Sequence, residues 1–305
     1  MFATYVRLII TAVIWGGTWV AARYAVQEAA PLAIAVWRFF FAAASLIILV
    51  LWRHGRLPRL DRRELMLVIA LGATGIFFYN LFFLFGMQHV TAGRGALVVA
   101  TTPVITLLAA AWLLKEGLTP LKALGSALAF VGCLLIIGRG DPLALLSGRV
   151  GVGEWLILGC ALMWSIYTLI GRLGTQSLAR RNLGALVMTA YASCAGFLML
   201  LAAALLDEPR QLAPDYSLPA WGAILFLGLL GTTLGFTWFS GAVQKIGAQR
   251  ASIFINLVPL AAVLQGAWLL DERLDASALL GGLLVIGGVM LTQHSMIKFK
   301  RACPT

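Results

Sequence analysis

Charge is what this chain has least of. Only 11% of its 305 residues are Asp, Glu, Lys or Arg, while 61% are hydrophobic. A soluble globular domain carries about a quarter charged residues, so the composition excludes one and points to a polytopic membrane protein. All twelve acidic residues, from Glu28 to Asp275, fall in loops or at helix ends. Carboxylate relays are the usual sign of proton or sodium coupling inside a membrane, and their lack argues against obligatory proton exchange. The histidines His54, His89 and His294 are also at ends. Cys133, Cys160 and Cys194 lie in apolar segments and Cys303 in the tail, with no CxxC pair or Cys/His cluster. That spacing suggests neither a disulfide framework nor a metal site. No GxxxxGK[ST] phosphate loop is present, so ATP cannot be assigned as an energy source. With few buried titratable groups there is no sign of an enzyme, and no cofactor is expected.

The formal charge of +11 does not indicate nucleic acid, because the basic residues sit in short segments between apolar runs and not on one patch. Ten apolar segments of spanning length can be marked, at about 5–27, 31–52, 65–88, 92–115, 119–138, 152–172, 182–206, 219–242, 247–270 and 275–296. The first has only Arg7 before it and no small-residue cleavage site, so it reads as a retained span. Short connections make consecutive helices antiparallel. Placing the amino terminus in the cytoplasm collects Arg7, the cluster Arg53 to Arg63, Lys115, Lys122, Arg172, Arg180, Arg181, Lys245, Arg250, Lys298, Lys300 and Arg301 inside. The other face receives only Arg23, Arg94, Arg139, Arg149, Arg210 and Arg273. The positive-inside rule therefore predicts both termini inside.

One stretch is used twice. Residues 94–116 read RGALVVATTPVITLLAAAWLLKE, and residues 250–272, a constant 156 positions later, read RASIFINLVPLAAVLQGAWLLDE. Five spans per half is an odd number, so the second half enters the membrane from the opposite side. The domains expected are a first repeat over 1–138, a connection over 139–151, a second repeat over 152–296 and a basic tail over 297–305. Gly125 and Gly132 recur as Gly281 and Gly288, seven apart on one helix face, which suits close helix contact. Thr119 before Pro120, and Asp275 in the second copy, are helix starts.

The repeated prolines Pro103 and Pro259 each remove one backbone hydrogen bond near mid-span, leaving a carbonyl tolerated only beside protein or water. They are candidate hinges. Arg94 and Glu272 fall on the outer side, Arg250 and Glu116 on the inner. These residues either cap neighbouring helices or pair across the pseudo-twofold axis as gates. Around the prolines the membrane interior holds aromatic, hydroxyl and amide groups. Trp15, Thr18 and Trp19 share a face of the first span, and Trp164, Tyr167 and Thr168 a face of the sixth. Tyr79, Asn80 and Phe83 come from the third span, Thr101 and Thr102 from the fourth, Phe236, Thr237 and Ser240 from the eighth, and Asn256 from the ninth. Packing explains any one of them; a buried amide, however, needs partners. Arg38, seven residues into the second span, either snorkels outward and bonds to backbone carbonyls or captures a substrate carboxylate.

The run IWGGTWVAARYAV, Arg38, the central Pro103 and Pro259, the two AWLLxE endings and the paired glycines together resemble the drug/metabolite transporter superfamily, in its ten-helix branch with two EamA repeats. Within it the chain is most similar to the YddG-type exporters of aromatic and other neutral amino acids. The resemblance implies an all-α membrane protein of two inverted five-helix repeats, with a cavity lined by the first, third, fourth, sixth, eighth and ninth helices. It implies an exporter of amino acids or small amphipathic metabolites in a bacterial inner membrane, acting by alternating access; a monomer is expected. The alternatives are a multidrug or other metabolite carrier and, from different classes, a channel or an intramembrane enzyme. Expected partners are the small-molecule substrate and the lipid bilayer.

Overall fold

The computed structural model describes residues 2–113, 119–141, 150–179 and 184–302. Among these every regular element is helical. In chain order they form α1 (Phe2–Glu28), α2 (Pro31–His54), α3 (Arg62–Met87), α4 (Ala92–Trp112), α5 (Pro120–Ile137), α6 (Val152–Ala179), α7 (Ala185–Asp207), α8 (Leu218–Ile246), α9 (Arg250–Leu269) and α10 (Ala276–Ala302). Nine are long and apolar enough to cross a membrane, and α10 contributes the apolar stretch Ala276–Thr292. Their ends are set by local chemistry. Asp61 and Glu64 form a reciprocal capping box at the start of α3, each carboxylate accepting the other residue's N–H at 2.8 Å. The Thr119 hydroxyl accepts from Lys122 N–H ahead of Pro120, and Asp275 accepts from Ala278 N–H at 2.9 Å. Gly55 closes α2 in a left-handed conformation at φ 69°, which a residue without Cβ adopts freely.

The helices pack as two related halves. α5 lies along α10 and α2 along α7, while α1 sits against α8 and α9 as α6 sits against α3 and α4. The α5–α10 seam depends on its four glycines. A Cβ on Gly132 would come within 2.5 Å of the Gly281 carbonyl oxygen, and one on Gly281 within 2.6 Å of the Gly132 carbonyl oxygen. Gly125 meets Gly288 in the same way. Two antiparallel helices meeting through the same residue pairs in both directions is what a pseudo-twofold axis requires. Trp112 and Trp268, equivalent in the repeat, are 82% and 81% exposed. Large apolar side chains this bare suit a lipid boundary, where Trp sits at the membrane–water interface.

Both halves also break their regular helix at the same places. α3 widens to a π-helix over Ala73–Phe78 and α8 over Phe226–Leu234, so the two π segments end 156 positions apart, in register with the sequence repeat. Such segments recur at functional sites. Inside each lies a glycine pressed against the other half: Gly75 against the ring of Tyr167 and Gly231 against Thr18. α4 is interrupted at residues 100–101 and α9 by a 3-10 turn at Phe254–Asn256, each just ahead of its proline. Pro103 leaves the Val99 carbonyl without its helical donor, and the Thr102 hydroxyl donates to that oxygen at 2.6 Å. The freed carbonyl is therefore satisfied within α4.

Candidate functional site

Helical spacing puts aromatic side chains on the facing surfaces of α1, α3, α6 and α8, and packing joins them into one chain of rings. From Phe239 the ring centroids run to Trp15 at 5.4 Å, to Phe236 at 5.7 Å, to Trp164 at 5.9 Å and to Tyr79 at 5.3 Å. They continue to Phe83 at 5.9 Å and Trp19 at 4.9 Å, and Tyr167 branches from Trp164 at 5.1 Å. Each contact at such a distance contributes about 0.5–1.5 kcal/mol beyond area burial. Trp15, Tyr79, Trp164, Tyr167 and Phe236 remain only half-buried, whereas Trp19 and Phe83 are fully buried. The chain crosses the boundary between the repeats at Trp15–Phe239, Trp15–Phe236 and Tyr79–Trp164. The Trp15 indole N–H also donates to the Gly231 carbonyl at 2.8 Å, inside the α8 π segment.

The hydroxyl groups are less available than their spacing suggests. Thr18 donates to Trp15 O, Thr101 to Val98 O, Thr102 to Val99 O, Thr168 to Trp164 O and Thr237 to Thr233 O. Each returns its proton to its own helix, the local bond that Ser and Thr make readily in apolar surroundings. Their oxygens retain only acceptor capacity. Asn80, 1% exposed, is committed within the protein as well, donating to Ile76 O at 2.7 Å and accepting from Arg38 at 2.9 Å. Asn256 is half-buried in the 3-10 turn of α9.

Arg38 neither snorkels nor bonds to backbone carbonyls. It is 8% exposed, donates from Nη1 to Asn80 Oδ1 and from Nη2 to Thr232 Oγ1 at 3.4 Å, and holds its guanidinium 5.9 Å from the Phe83 ring centre. Asn80 belongs to the first repeat and Thr232 to the second, so the arginine bridges them. Its Nε is buried without a partner. Thr232 is held by donating to Leu227 O at 3.0 Å, a bond across the π-helix.

At the end of the bundle opposite the amino terminus, ion pairs tie the two halves. Arg94 meets Asp275 at 2.9 Å and Glu154 at 3.6 Å, and Arg139 also reaches Glu154 at 3.3 Å. The repeat suggests an Arg94–Glu272 pair, but among the described residues none forms. Glu272 instead accepts from the N–H groups of Ala92 and Gly93, at 2.8 and 3.2 Å. A Glu that opposes the dipole of its own helix thereby complements the exposed amides of α4. The left-handed Asp271, φ 51°, turns the chain so that Glu272 reaches there. At the other end Arg250 is exposed, and Glu116 lies outside the described residues. Acidic side chains at helix ends can still be buried: Glu64 is 1% and Glu154 2% exposed.

Two cavities complete the geometry. One of about 320 Å³ opens at the amino-terminal end between α1, α2, α7 and α8; its lining includes Arg7, Arg53, Thr189, Phe236, Thr237, Ser240, Gln244 and Lys245. The other, about 260 Å³, is almost wholly apolar and is lined by Thr101, Ile105, Phe130, Cys133 and Leu158 among others.

The model of the EamA-like transporter family matches the chain twice, over residues 3–138 and 151–293. This chain belongs to the EamA-like transporter family. It is similar to the uncharacterized transporter YyaM of Bacillus subtilis (strain 168), 28% identical over 297 residues, covering 97% of this chain and 95% of the relative. It is also similar to a probable terminal-alkyne amino-acid exporter of Streptantibioticus cattleyicolor, 30% identical over 298 residues, 98% and 96% of the two chains. A solved crystal structure shares the fold with a TM-score of 0.63 at 19% identity, covering 95% of this chain and 96% of that one.

In this EamA-like transporter three groups at the site escaped the sequence reading. Thr232 sits in the run LGLLGTTLG, where only its register with Ile76 in the other repeat hints at a core position. Phe239 corresponds in the same way to Phe83. The third is Glu154, whose contact with Arg94 links residues 60 positions apart and leaves no local pattern.

Proposed function

We propose that this EamA-like transporter exports amino acids, aromatic and other neutral ones, and related small amphipathic metabolites from the cytoplasm across a bacterial inner membrane. The observation that carries the reading is the chain of half-buried rings from Trp15 through Phe236 and Trp164 to Tyr79, which runs between the two repeats. Rings of this kind stack on the apolar body of a substrate, and Thr237, Thr168 and Asn256 meet its polar ends. The relative named as a probable amino-acid exporter supports the substrate class. The basic amino-terminal end, with Arg7, Arg53 and Lys245 around its cavity, supports placing both termini in the cytoplasm.

Alternating access then follows from two five-helix units, residues 1–138 and 152–296, rocking about the axis between α5 and α10. The set Arg94, Asp275, Glu154 and Glu272 acts as the outer gate, Arg250 and Glu116 belong to the inner one, and Pro103 and Pro259 serve as hinges. The protein is a carrier and not an enzyme. It works as a monomer without ATP or nucleic acid, driven by the gradient of its substrate. Counterflow in proteoliposomes tests this: labelled phenylalanine enters vesicles preloaded with unlabelled L-phenylalanine, saturably and with preference for one enantiomer. No substrate-dependent flux across a broad amino-acid panel overturns the reading.

A further inference from the structure

We infer that this transporter recognises its substrate through an anionic group and gives the ammonium no charged partner, so that apolar carboxylates lacking an amino group are also substrates. The inference rests on the proposed transport function and narrows its substrate class. It starts from the charges along α8. The cavity at the amino-terminal end carries three cations, Arg7, Arg53 and Lys245, and among the described residues no carboxylate lines it. Phe236, which also lines it, stands in the ring chain next to Trp15 and Trp164. One helical turn before Phe236 on α8 is Thr232, the partner of Arg38. From Lys245 to Thr232 the helix covers about 20 Å. Two cationic poles are thus joined by aromatic surface.

Arg38 makes the stronger argument. Both of its partners, Asn80 Oδ1 and the Thr232 hydroxyl, are neutral, and its Nε has none. A guanidinium stays charged at any working pH. Buried without a counter-ion it is costly, and an anion arriving beside it relieves that cost. Among the described residues the two buried carboxylates are committed elsewhere: Glu64 closes the capping box with Asp61, and Glu154 takes Arg94 and Arg139. An amino acid's carboxylate therefore finds cationic partners at the cavity and, deeper along α8, at Arg38, while its ammonium meets only neutral oxygens, those of hydroxyls and of the Gln244 amide.

The test uses the full chain reconstituted in phosphatidylcholine vesicles, with counterflow of labelled phenylalanine and of labelled phenylpyruvate measured separately, and with phenethylamine as competitor. Saturable phenylpyruvate flux, uninhibited by phenethylamine, is expected. In the double variant Arg53→Gln with Lys245→Gln the KM for phenylpyruvate rises roughly tenfold, as for loss of charge-assisted contacts. Flux of phenylalanine without flux or competition by phenylpyruvate overturns the inference and leaves the proposed function standing. Inhibition by phenethylamine as strong as that by phenylpyruvate also overturns it. Phenylpyruvate flux without phenylalanine flux supports the inference and removes the amino-acid reading; flux of neither removes both. A repeat in vesicles containing phosphatidylglycerol separates a lipid source of the anion. If the variant differs from the parent only there, the cavity holds a lipid headgroup and the inference fails.

Discussion

Arg38 donates to Asn80 Oδ1 at 2.9 Å, and this bond joins two buried side chains that both need polar partners. Asn80 is oriented for it by its own bond to Ile76 O inside the π segment. Asn80→Leu therefore strips the buried guanidinium of its better partner. The expected loss is about 1.5–3 kcal/mol, the range for a hydrogen bond to a charged group, seen as a lower thermal midpoint in detergent. Asn80→Asp keeps an acceptor and supplies a counter-charge, so its midpoint should fall less. Equal losses in both variants would sink this account.

The glycine seam between α5 and α10 permits a second test. Gly132→Leu must push the two helices apart, because even a Cβ would meet the Gly281 carbonyl oxygen. Overpacking of this kind costs about 1–3 kcal/mol or more, and size-exclusion profiles should show less monodisperse protein. Gly287, on the same α10, has nothing within 4 Å of where its Cβ would stand. Gly287→Ala should leave the profile unchanged or improved.

A double-mutant cycle probes the proline breaks. Thr102→Val removes the hydroxyl that serves the Val99 carbonyl, an orphaned acceptor worth about 1–3 kcal/mol. Pro103→Ala restores a backbone donor to the same oxygen, so the Thr102→Val loss should shrink in its presence. If Pro103 and Pro259 are hinges, the Ala variants also slow counterflow by more than their change in thermal midpoint explains. Unchanged rates in both would remove the hinge role.

The ion-pair end responds to pH. Burial pushes the Asp275 carboxyl up, but the Ala278 N–H and the charge of Arg94 outweigh it and hold the group below its ordinary value of 3.8. A lowered carboxylate contributes stability above that value and loses it as pH falls through the folded-state value. The thermal midpoint of Asp275→Asn should therefore lie below the parent's by a constant amount from neutrality down to about pH 4. Below that the gap should narrow; a gap that persists undiminished at lower pH would show the contact to be uncharged in effect.

How much of this was legible beforehand differs from residue to residue. The 156-residue repeat and the apolar runs determined ten helices and an inverted pair of halves, because spanning length and hydrophobicity are local properties of a chain in lipid. The same periodicity placed Trp15, Tyr79, Phe83, Trp164 and Phe236 on facing surfaces, and the glycine spacing anticipated the seam. Arg38 and Glu272 were beyond it. Whether an arginine snorkels or turns inward depends on acceptors on α3 and α8, nearly two hundred residues apart in the case of Thr232. Whether a terminal glutamate pairs with an arginine or caps a helix depends on the turn at Asp271 and the neighbouring amides of α4. A Thr hydroxyl in a span either faces a ligand or bonds back to its own helix, and only the folded backbone shows that Thr18, Thr101, Thr102, Thr168 and Thr237 all do the second. Helix formation and face periodicity are dictated within a few turns of chain, and so the sequence alone determined them. Partner choice among buried polar groups is a contest between elements brought together by packing, and only the tertiary structure decided it.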